Sequence, residues 1–576
     1  MSQHIVRRAI PDTFPNLGPE VPAVLARVYA LRNITEAAQL ERGLEFLPAV
    51  DQMLGLDAAV AILVTAMMQR QRVLIIGDFD ADGATSSTVA VRALRMMGIA
   101  NVDFLVPNRF EFGYGLTPEI VEVAKQFSPD VIVTVDNGIA SIDGVDAAKA
   151  NGWQVVVTDH HLPGDTLPAA DAVVNPNQPG CLFPSKNLAG VGVIFYVMLG
   201  LRAALRDQGW FEQQGITIPN LGSLLDLVAL GTVADVVILD HVNRILVAQG
   251  LARIRRGVCC PGISALLELG ARKQDQISAA DMGFIVGPRL NAAGRLEDMS
   301  IGINCLLSEQ MTEALIAARE LDRLNRERRS IEQEMQAQAM LNLEQIQWDD
   351  EQAMPTGLCI YQEDWHQGVI GILASRIKDK FHRPVIAFAA ANDDEIKGSA
   401  RSVPGFHIRD GLDAVATANP GLITKFGGHA MAAGLSIKRD RLAEFQTAFD
   451  VEVCRHLSLE DLRGVVWSDG ELPSNALSIE VAEQLKAGGP WGQGFPEPTF
   501  DGEFTVLNKR IVGERHLKLV LQTLDGSQSI DAIAFNTSDE AWPETTTQVR
   551  VAFKLDINEY KGRRSPQLMV DFIEPL

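Results

Sequence analysis

Cysteine is scarce in this chain: six in 576 residues, of which only Cys259 and Cys260 are neighbours. With no CxxC pair and no regular spacing, neither a disulfide framework nor a cysteine zinc site is expected, and a reducing compartment fits. Long apolar runs are missing as well, so no bilayer-spanning segment is expected. The N-terminus, MSQHIVRRAIPDTFP, has two arginines but neither the apolar stretch nor the cleavage-like site of a signal peptide. The expectation is a soluble, cytoplasmic protein with no membrane attachment. Positive charge is in deficit, with 51 Lys and Arg against 73 Asp and Glu and a formal charge of −22. That balance favours solubility and gives no global sign of nucleic-acid binding, although it leaves room for a local basic groove. Repeats and low-complexity tracts are absent from the sequence.

What is present is an ordinary globular composition, 47% hydrophobic and 22% charged, on a chain long enough for several domains. Residues 1–50 begin Pro-rich, turn helical in pattern, and read as an N-terminal extension. Beyond them, β-branched runs at Val73–Ile76, Val102–Val106, Asp130–Val135 and Gln154–Thr158 alternate with helical stretches at Thr85–Met97, Thr117–Gln126 and Gly144–Ala150. Such alternation predicts a parallel sheet covered on both faces, with ligands bound outside the carboxyl ends of its strands. Residues 185–345 read as mainly helical. Within them Gln310–Leu343 mixes both charge signs and reads as a long solvated connecting helix rather than a DNA-contact face. A boundary at Asp349–Gly357 precedes a second α/β pattern over residues 358–456. Short strands at Phe504–Leu507, His516–Leu521, Ile530–Phe535, Gln548–Leu555 and Gln567–Phe572 then predict a small β-barrel.

One segment poses an electrostatic problem. In Val73–Gly83, VLIIGDFDADG, an apolar run passes directly into Asp78, Asp80 and Asp82. Like charges this close repel unless a cation holds them. The following strands end in Asp136-Asn137-Gly138 and Asp159-His160-His161, and Leu227–Asp235 places another acid after an apolar segment. Three strands of one sheet therefore deliver Asp or His to the same edge. A hard, oxygen-rich set with one or two imidazoles suits Mn2+ or Mg2+. More acids than one ion needs point to a two-metal cluster that activates water and clamps a phosphoryl oxygen. The plainer alternative for a single Asp after a strand is a helix cap or turn residue; three successive strand ends of this kind weigh against it. Asp159 is the weakest member, and reads as a carboxylate that orients His160.

The set GDFDADG, VDNG, TDHH and GTVAD, in this order, resembles the DHH phosphoesterase superfamily and, within it, the RecJ nuclease family. Asn187–Val193 (NLAGVGV), Gly287–Arg295 (GPRLNAAGR) and Phe426–Gly434 (FGGHAMAAG) strengthen the resemblance, the last being similar to a DHHA1 signature. The resemblance implies a two-lobed α/β core of DHH and DHHA1 domains with a parallel sheet, a long connecting helix and a C-terminal OB-fold β-barrel. The corresponding division is an N-terminal extension at 1–50, DHH domain at 51–308, connecting helix at 309–350, DHHA1 domain at 351–458 and OB-fold at 459–576. It also implies that Asp80, Asp82, Asp136, His160 and Asp235 ligate two Mn2+ or Mg2+ ions, with Asp136 bridging. Asp78 matches the first acid of the motif and is carried as a further ligand. His161 would contact the scissile phosphate or assist proton transfer.

In the DHHA1-like region, Gly398–Ser402 (GSARS) and Gly427-Gly428-His429 combine glycines, which let backbone N–H groups approach a phosphate, with Arg and His donors. The resemblance implies that Arg109, Arg289, Ser399 and Arg401 surround a terminal phosphate, with His429 facing the metal cleft; Asn291 accompanies Arg289 in the first lobe. For Arg109 the plainer alternative is a surface ion pair. In the barrel, Lys509, Arg510, Arg515, Lys518, Lys554, Lys561, Arg563 and Arg564 are candidates for a basic groove. Phe504, Phe535 and Tyr560 are candidate stacking residues, although aromatics at alternate strand positions are more often core.

The expected activity is metal-dependent hydrolysis of single-stranded DNA from a 5′ end, in DNA repair and recombination. Polarity, and cooperation with single-strand-binding protein and a helicase, rest on the resemblance alone; a monomer is expected. Two alternatives stay open. A DHH phosphodiesterase for short oligoribonucleotides or cyclic dinucleotides would generally lack the extra helices and the barrel. A non-catalytic DNA-binding scaffold would have lost ligands.

Overall fold

Buried β-branched runs separated by helices pair in parallel, because a right-handed helical crossover returns the chain in its original direction. In the computed structural model, a short N-terminal strand, β1 (His4–Arg7), is followed by β2 (Val73–Gly77), β3 (Val102–Leu105), β4 (Val131–Val135), β5 (Gln154–Thr158) and β6 (Ala172–Val174). The structure describes residues 3–576 except 12, 109–111, 113–114, 346–353, 459, 514–515, 536 and 538–546. Strands β2–β6 form one all-parallel sheet in the order β3-β2-β4-β5-β6. β2 and β4 are buried at every position, as strands covered on both faces must be. From β2 the chain goes to one side for β3 and returns to the other for β4. The crevice beyond the carboxyl ends of β2 and β4 is therefore the topological switch point, where open α/β sheets bind ligands.

The residues fall into two units. The first comprises residues 9–325 with 478–498 and contains this sheet. Its helices Ala81–Met96, Gly190–Asp207 and Leu225–Ala234 pack together beside the sheet. The helix Ile479–Gly488 belongs here too, tied to the helix Ala23–Ala30 by the Tyr29 hydroxyl, which donates to Gly488 O at 2.9 Å. Tyr29 also stacks near Trp491 and Phe495.

The second unit comprises the segment through Arg8, residues 326–477 and residues 499–576. Strands β7 (Leu358–Tyr361), β8 (Val385–Ala390), β9 (Glu395–Arg401), β10 (Lys425–Gly428) and β11 (Ala432–Lys438) form a mixed sheet in the order β10-β11-β9-β8-β7. Only β7 and β8 run parallel. A core with Phe388, Phe445 and Phe449 at its centre lies against it. Strand β12 (Val465–Ser468) pairs in parallel with β1. Strands β13 (Phe500–Val512), β14 (His516–Thr523), β15 (Ser529–Ala534), β16 (Gln548–Tyr560) and β17 (Arg563–Pro575) close a barrel in the order β13-β14-β15-β17-β16, the five-stranded OB arrangement.

Packing also links segments across the expected divisions at 1–50 and 459–576. β1 finds its backbone partner in β12, while residues 478–498 pack with the first unit because their aromatics meet Tyr29. The long helix spans Met311–Gln345. Among the described residues no single helix is long and apolar enough to cross a membrane.

Candidate metal centre and nucleic-acid contacts

Asp78 leaves the end of β2 and accepts the Phe79 N–H at 2.7 Å. Asp80 is the N-cap of Ala81–Met96, its Oδ1 accepting from Asp82 N at 2.9 Å and Gly83 N at 3.0 Å. The capping alternative is thus correct for Asp80, yet the residue still reaches the cluster. Asp82, in the first turn, accepts N–H groups from the start of the helix Gly190–Asp207: Gly190 at 2.7 Å and Val191 at 3.0 Å. Asp136 follows β4 in the left-handed region, φ +61°, a conformation rare for a residue with a side chain. Gly190 makes room for it: a Cβ there would sit 2.6 Å from the Asp136 Cβ. Asp235 arrives differently from the strand-end acids. It is the C-cap of the helix Leu225–Ala234.

His160 joins these groups. Its Nε2 lies 3.1 Å from Asp136 Oδ1, 3.5 Å from Asp235 Oδ2 and 4.0 Å from Asp82 Oδ2. Ligand atoms of Asp78, Asp80 and Asp136 lie within 4.8 Å of one another, as do those of Asp82, His160 and Asp235, and those of Asp136, His160 and His161. All six expected metal ligands are therefore brought together at the switch point.

Burial, reinforced by neighbouring carboxylates, raises the pKa of Asp78, Asp136 and Asp235 well above the ordinary carboxylate value. The same causes lift Asp82 to about 7. Such a cluster without a cation cannot keep all its charges at neutral pH. Divalent cations remove the conflict, and the carboxylate-plus-imidazole donor set fits hard ions.

Asp159 does something other than orient the His160 ring. Its Oδ1 accepts from His161 Nδ1 at 2.7 Å and from the backbone N–H of His160 and His161 at 2.7 and 3.1 Å. Its Oδ2 accepts Ile139 N–H at 2.9 Å. The oriented ring is His161. Burial pulls His161 downward, but the Asp159 bond and charge, with Asp235 and Asp78, outweigh it and raise its pKa to about 9.

Among the expected substrate contacts, Arg109 lies outside the described residues. Arg289 is turned inward: Nε and Nη2 meet Asp322 Oδ1 at 3.0 and 2.9 Å, and Nη1 donates to Ile285 O at 2.6 Å. Asn291 accepts Ala81 N–H at 2.7 Å and so braces the Asp80–Asp82 loop. In the second unit, Arg401 donates to Ser399 Oγ at 3.2 Å and to Ala400 O at 2.8 Å. Both side chains flank Gly371, in the first turn of the helix Ile370–Phe381, where a Cβ would lie 2.9 Å from Arg401 Nη2 and 3.0 Å from Ser399 Oγ. A guanidinium, a hydroxyl and a helix N-terminus thus converge, the arrangement that holds an anion. Burial lowers the Arg401 pKa, and no carboxylate among the described residues pairs with it. Gly371 was not legible in the sequence; just before it, His366 accepts Gly368 N–H at 3.1 Å, shaping the entry to the helix. His429 is exposed in the β10–β11 turn, its N–H donating to Ala432 O at 2.8 Å.

The barrel's basic residues occupy two places. Arg510 pairs across from Lys518 near the β13–β14 turn, with Lys509 beside them. Lys561, Arg563 and Arg564 lie at the β16–β17 turn. β15 runs antiparallel to β14 and parallel to β17, so the start of β17 lies toward the end of the barrel opposite the start of β14. Arg515 lies outside the described residues. Lys518 is ion-paired with Asp531 at 3.2 Å, and Lys554 lies on β16. Phe504 is core, packed on Phe553. Phe535 and Tyr560 are 49% and 66% exposed; Phe535 meets His516 edge-on with ring centroids 4.9 Å apart, and the Lys561 ammonium lies 5.3 Å from the centre of the Tyr560 ring.

Comparison with known proteins matches three segments of the chain: the DHH family N-terminal domain over residues 72–232, the DHHA1 domain over 355–453 and the RecJ OB domain over 468–571. The single-stranded-DNA-specific exonuclease RecJ of Dickeya dadantii is 54% identical over 570 residues, covering 99% of both chains. That of Escherichia coli is 53% identical over 578 residues, covering 100% of both. Among solved structures, RecJ from Thermus thermophilus in complex with Mn2+ superposes with a TM-score of 0.79 at 30% identity, over 97% of this chain and 76% of that one. The same protein has been solved with Mg2+.

Proposed function

Since the chain belongs to the RecJ family of single-stranded-DNA-specific exonucleases, we propose that Asp78, Asp80, Asp82, Asp136, His160 and Asp235 hold two Mn2+ or Mg2+ ions, and that the chain uses them to remove nucleotides from the 5′ end of single-stranded DNA. The observation that carries this reading is the gathering of five carboxylates and an imidazole around the switch point, with four of the acids pushed up in pKa by burial and mutual repulsion. When bound, the ions supply charge neutralisation and Lewis acidity at phosphoryl oxygen and water.

The chain's own residues do the rest. His161, oriented through Nδ1 by Asp159, contacts the scissile phosphate or assists proton transfer. Arg401, Ser399 and the N-terminus of Ile370–Phe381 hold the terminal phosphate of the strand. Asn291 keeps the Asp80–Asp82 loop in place, and Asp322 keeps Arg289. Arg109 and His429 are assigned to the same substrate path from the family resemblance. The basic residues of the barrel, with Phe535 and Tyr560, grip the strand by charge and stacking. The reading includes work in DNA repair and recombination in the cytoplasm, as a monomer, on strands exposed by a helicase and coated by single-strand-binding protein.

The test compares 5′-labelled and 3′-labelled single strands, a matched blunt duplex and a cyclic dinucleotide, with Mn2+ or Mg2+ and with EDTA. Immediate release of the 5′ label, stepwise shortening of the 3′-labelled strand and sparing of the duplex are expected. Rapid cleavage of the cyclic dinucleotide with single strands untouched would overturn the substrate and leave the metal centre standing.

A further inference from the structure

The turn that carries the two histidines has no ladder partners for its peptide groups, yet it is built from tightly held backbone. Buried N–H and C=O groups must find partners somewhere. For His160 and His161 the N–H groups go to Asp159 Oδ1 at 2.7 and 3.1 Å. The carbonyls go to two asparagines on the next connection: Asn177 Nδ2 donates to His160 O at 2.6 Å, and Asn175 Nδ2 donates to His161 O at 2.9 Å. The asparagines hold each other, Asn177 N–H donating to Asn175 Oδ1 at 2.7 Å. Asn175 is completely buried. All four backbone polar groups of the histidine pair are thus satisfied by side chains.

The connection that carries these asparagines is itself pinned. Asn177 Nδ2 also reaches Lys186 O at 3.2 Å, and the Lys186 ammonium donates to Pro176 O at 2.6 Å and Cys181 O at 2.8 Å. A few residues on, the same stretch ends in Gly190, whose N–H meets Asp82 and whose missing Cβ admits Asp136. One segment, residues 175–190, therefore touches the backbone of His160 and His161 at one end and two acids of the cluster at the other.

We propose that Asn175 and Asn177 are positioning residues of the metal centre: they fix the carbonyls of His161 and His160, and through those peptide planes they aim the His160 ring at Asp136 and hold the His161 ring in its place beside Asp159. The peptide planes on either side of a residue set where its side chain points. Releasing a carbonyl lets the plane rotate and swings the imidazole away from the ions. Asparagine suits the task chemically, because it donates to a carbonyl without adding a charge beside the crowded acids; aspartate could only accept, and would add one. The inference rests on the metal reading given above.

Mn2+ titration followed by electron paramagnetic resonance of the unbound ion, on the full chain, tests it. Asn177→Ala and Asn175→Ala are each expected to bind Mn2+ roughly 10–100-fold more weakly, the cost typical of removing a residue that supports a ligand. Their nuclease activity should recover as Mn2+ is raised, which a merely structural role would not produce. A folded variant with Mn2+ affinity within twofold of the unmodified chain overturns the proposal, whatever its thermal stability. If Asn177→Ala does not fold, Asn175→Ala, which leaves the Lys186 contact intact, decides in the same way. Absence of Mn2+ uptake by the unmodified chain would instead bring down the metal centre itself.

Discussion

Asp159 is the residue that separates the two histidines by role. His160 faces three carboxylates through Nε2, whereas His161 is held by one carboxylate through Nδ1. In the metal-free protein the His161 imidazole is expected to titrate near 9, because its partner charge outweighs the burial that opposes protonation. Asp159→Asn removes the charge and leaves the burial, so the His161 midpoint should fall by more than about one pH unit, and nuclease turnover at neutral pH by roughly 100-fold or more. NMR titration of the imidazole and a pH–rate profile read the two effects; an unmoved His161 midpoint would remove Asp159 from its role. The sequence alone paired Asp159 with His160, its nearest neighbour. The structure pairs its carboxylate with the ring two residues on, because an aspartate at a strand end folds back over its own turn. The candidate ligands were legible because they gather just past apolar runs. Asn175, Asn177 and Gly371 were not, and Gly190 stood in the NLAGVGV stretch without a role, since what each one does depends on residues distant in the chain.

At the scale of elements, strands buried on both faces announce themselves as continuous apolar runs, and β2, β4 and β5 were legible almost to the residue. β6 is only three residues long and gave no comparable signal. The run before Asp235 fits strand or helix equally well by hydrophobicity, since a fully buried segment has no polar face to reveal its period. It is a helix, which places Asp235 at the negative end of a helix dipole, where a carboxylate is disfavoured without a cation. The helix Gly190–Asp207 contributes differently, offering its first N–H groups to Asp82 and a bare Cα to Asp136. Gly190→Ala should therefore keep the fold of the sheet but displace Asp136, weakening Mn2+ binding by about tenfold or more; isothermal titration against Mn2+ checks it, and unchanged affinity would show that Asp136 can move without consequence. In the barrel, changing Lys561, Arg563 and Arg564 together to Ala should weaken single-strand binding and reduce the slope of log affinity against log salt by roughly 2, each lost phosphate contact accounting for about 0.7. A slope identical to that of the unmodified chain would take the β16–β17 turn out of the DNA path.

Over the whole molecule, contacts tie together segments that lie far apart in the sequence. β1 pairs with β12 across more than four hundred residues, and Arg7 with Arg550 neutralises the fully buried Asp501, so the first residues belong to the unit that contains the barrel. No local pattern reports such long-range pairing. The same scale governs the response to pH and metal. Asp82 has a folded pKa of about 7, and Asp78, Asp136 and Asp235 are also raised, all by burial first and neighbouring acids next. Unfolded carboxyls titrate near ~4, so through Asp82 the metal-free folded chain holds more protons than the unfolded one from there up to about 7, and the other three raised acids add to that excess. The stability this cluster contributes is complete below that window and is lost as pH rises through it, on the order of a few kcal/mol. In EDTA, the thermal midpoint should consequently fall between about pH 5.5 and about pH 8, and Mn2+ should raise it most at the alkaline end, where protons no longer compete for the ligands. The chain's net charge of −22 adds a general repulsion with the same sign, so Asp82→Asn provides the control. That variant keeps the general repulsion but loses one titrating ligand, and its metal-free midpoint should fall less steeply with pH. A Mn2+ increment that is the same at both ends of the range would mean that protons and metal do not compete for these carboxylates.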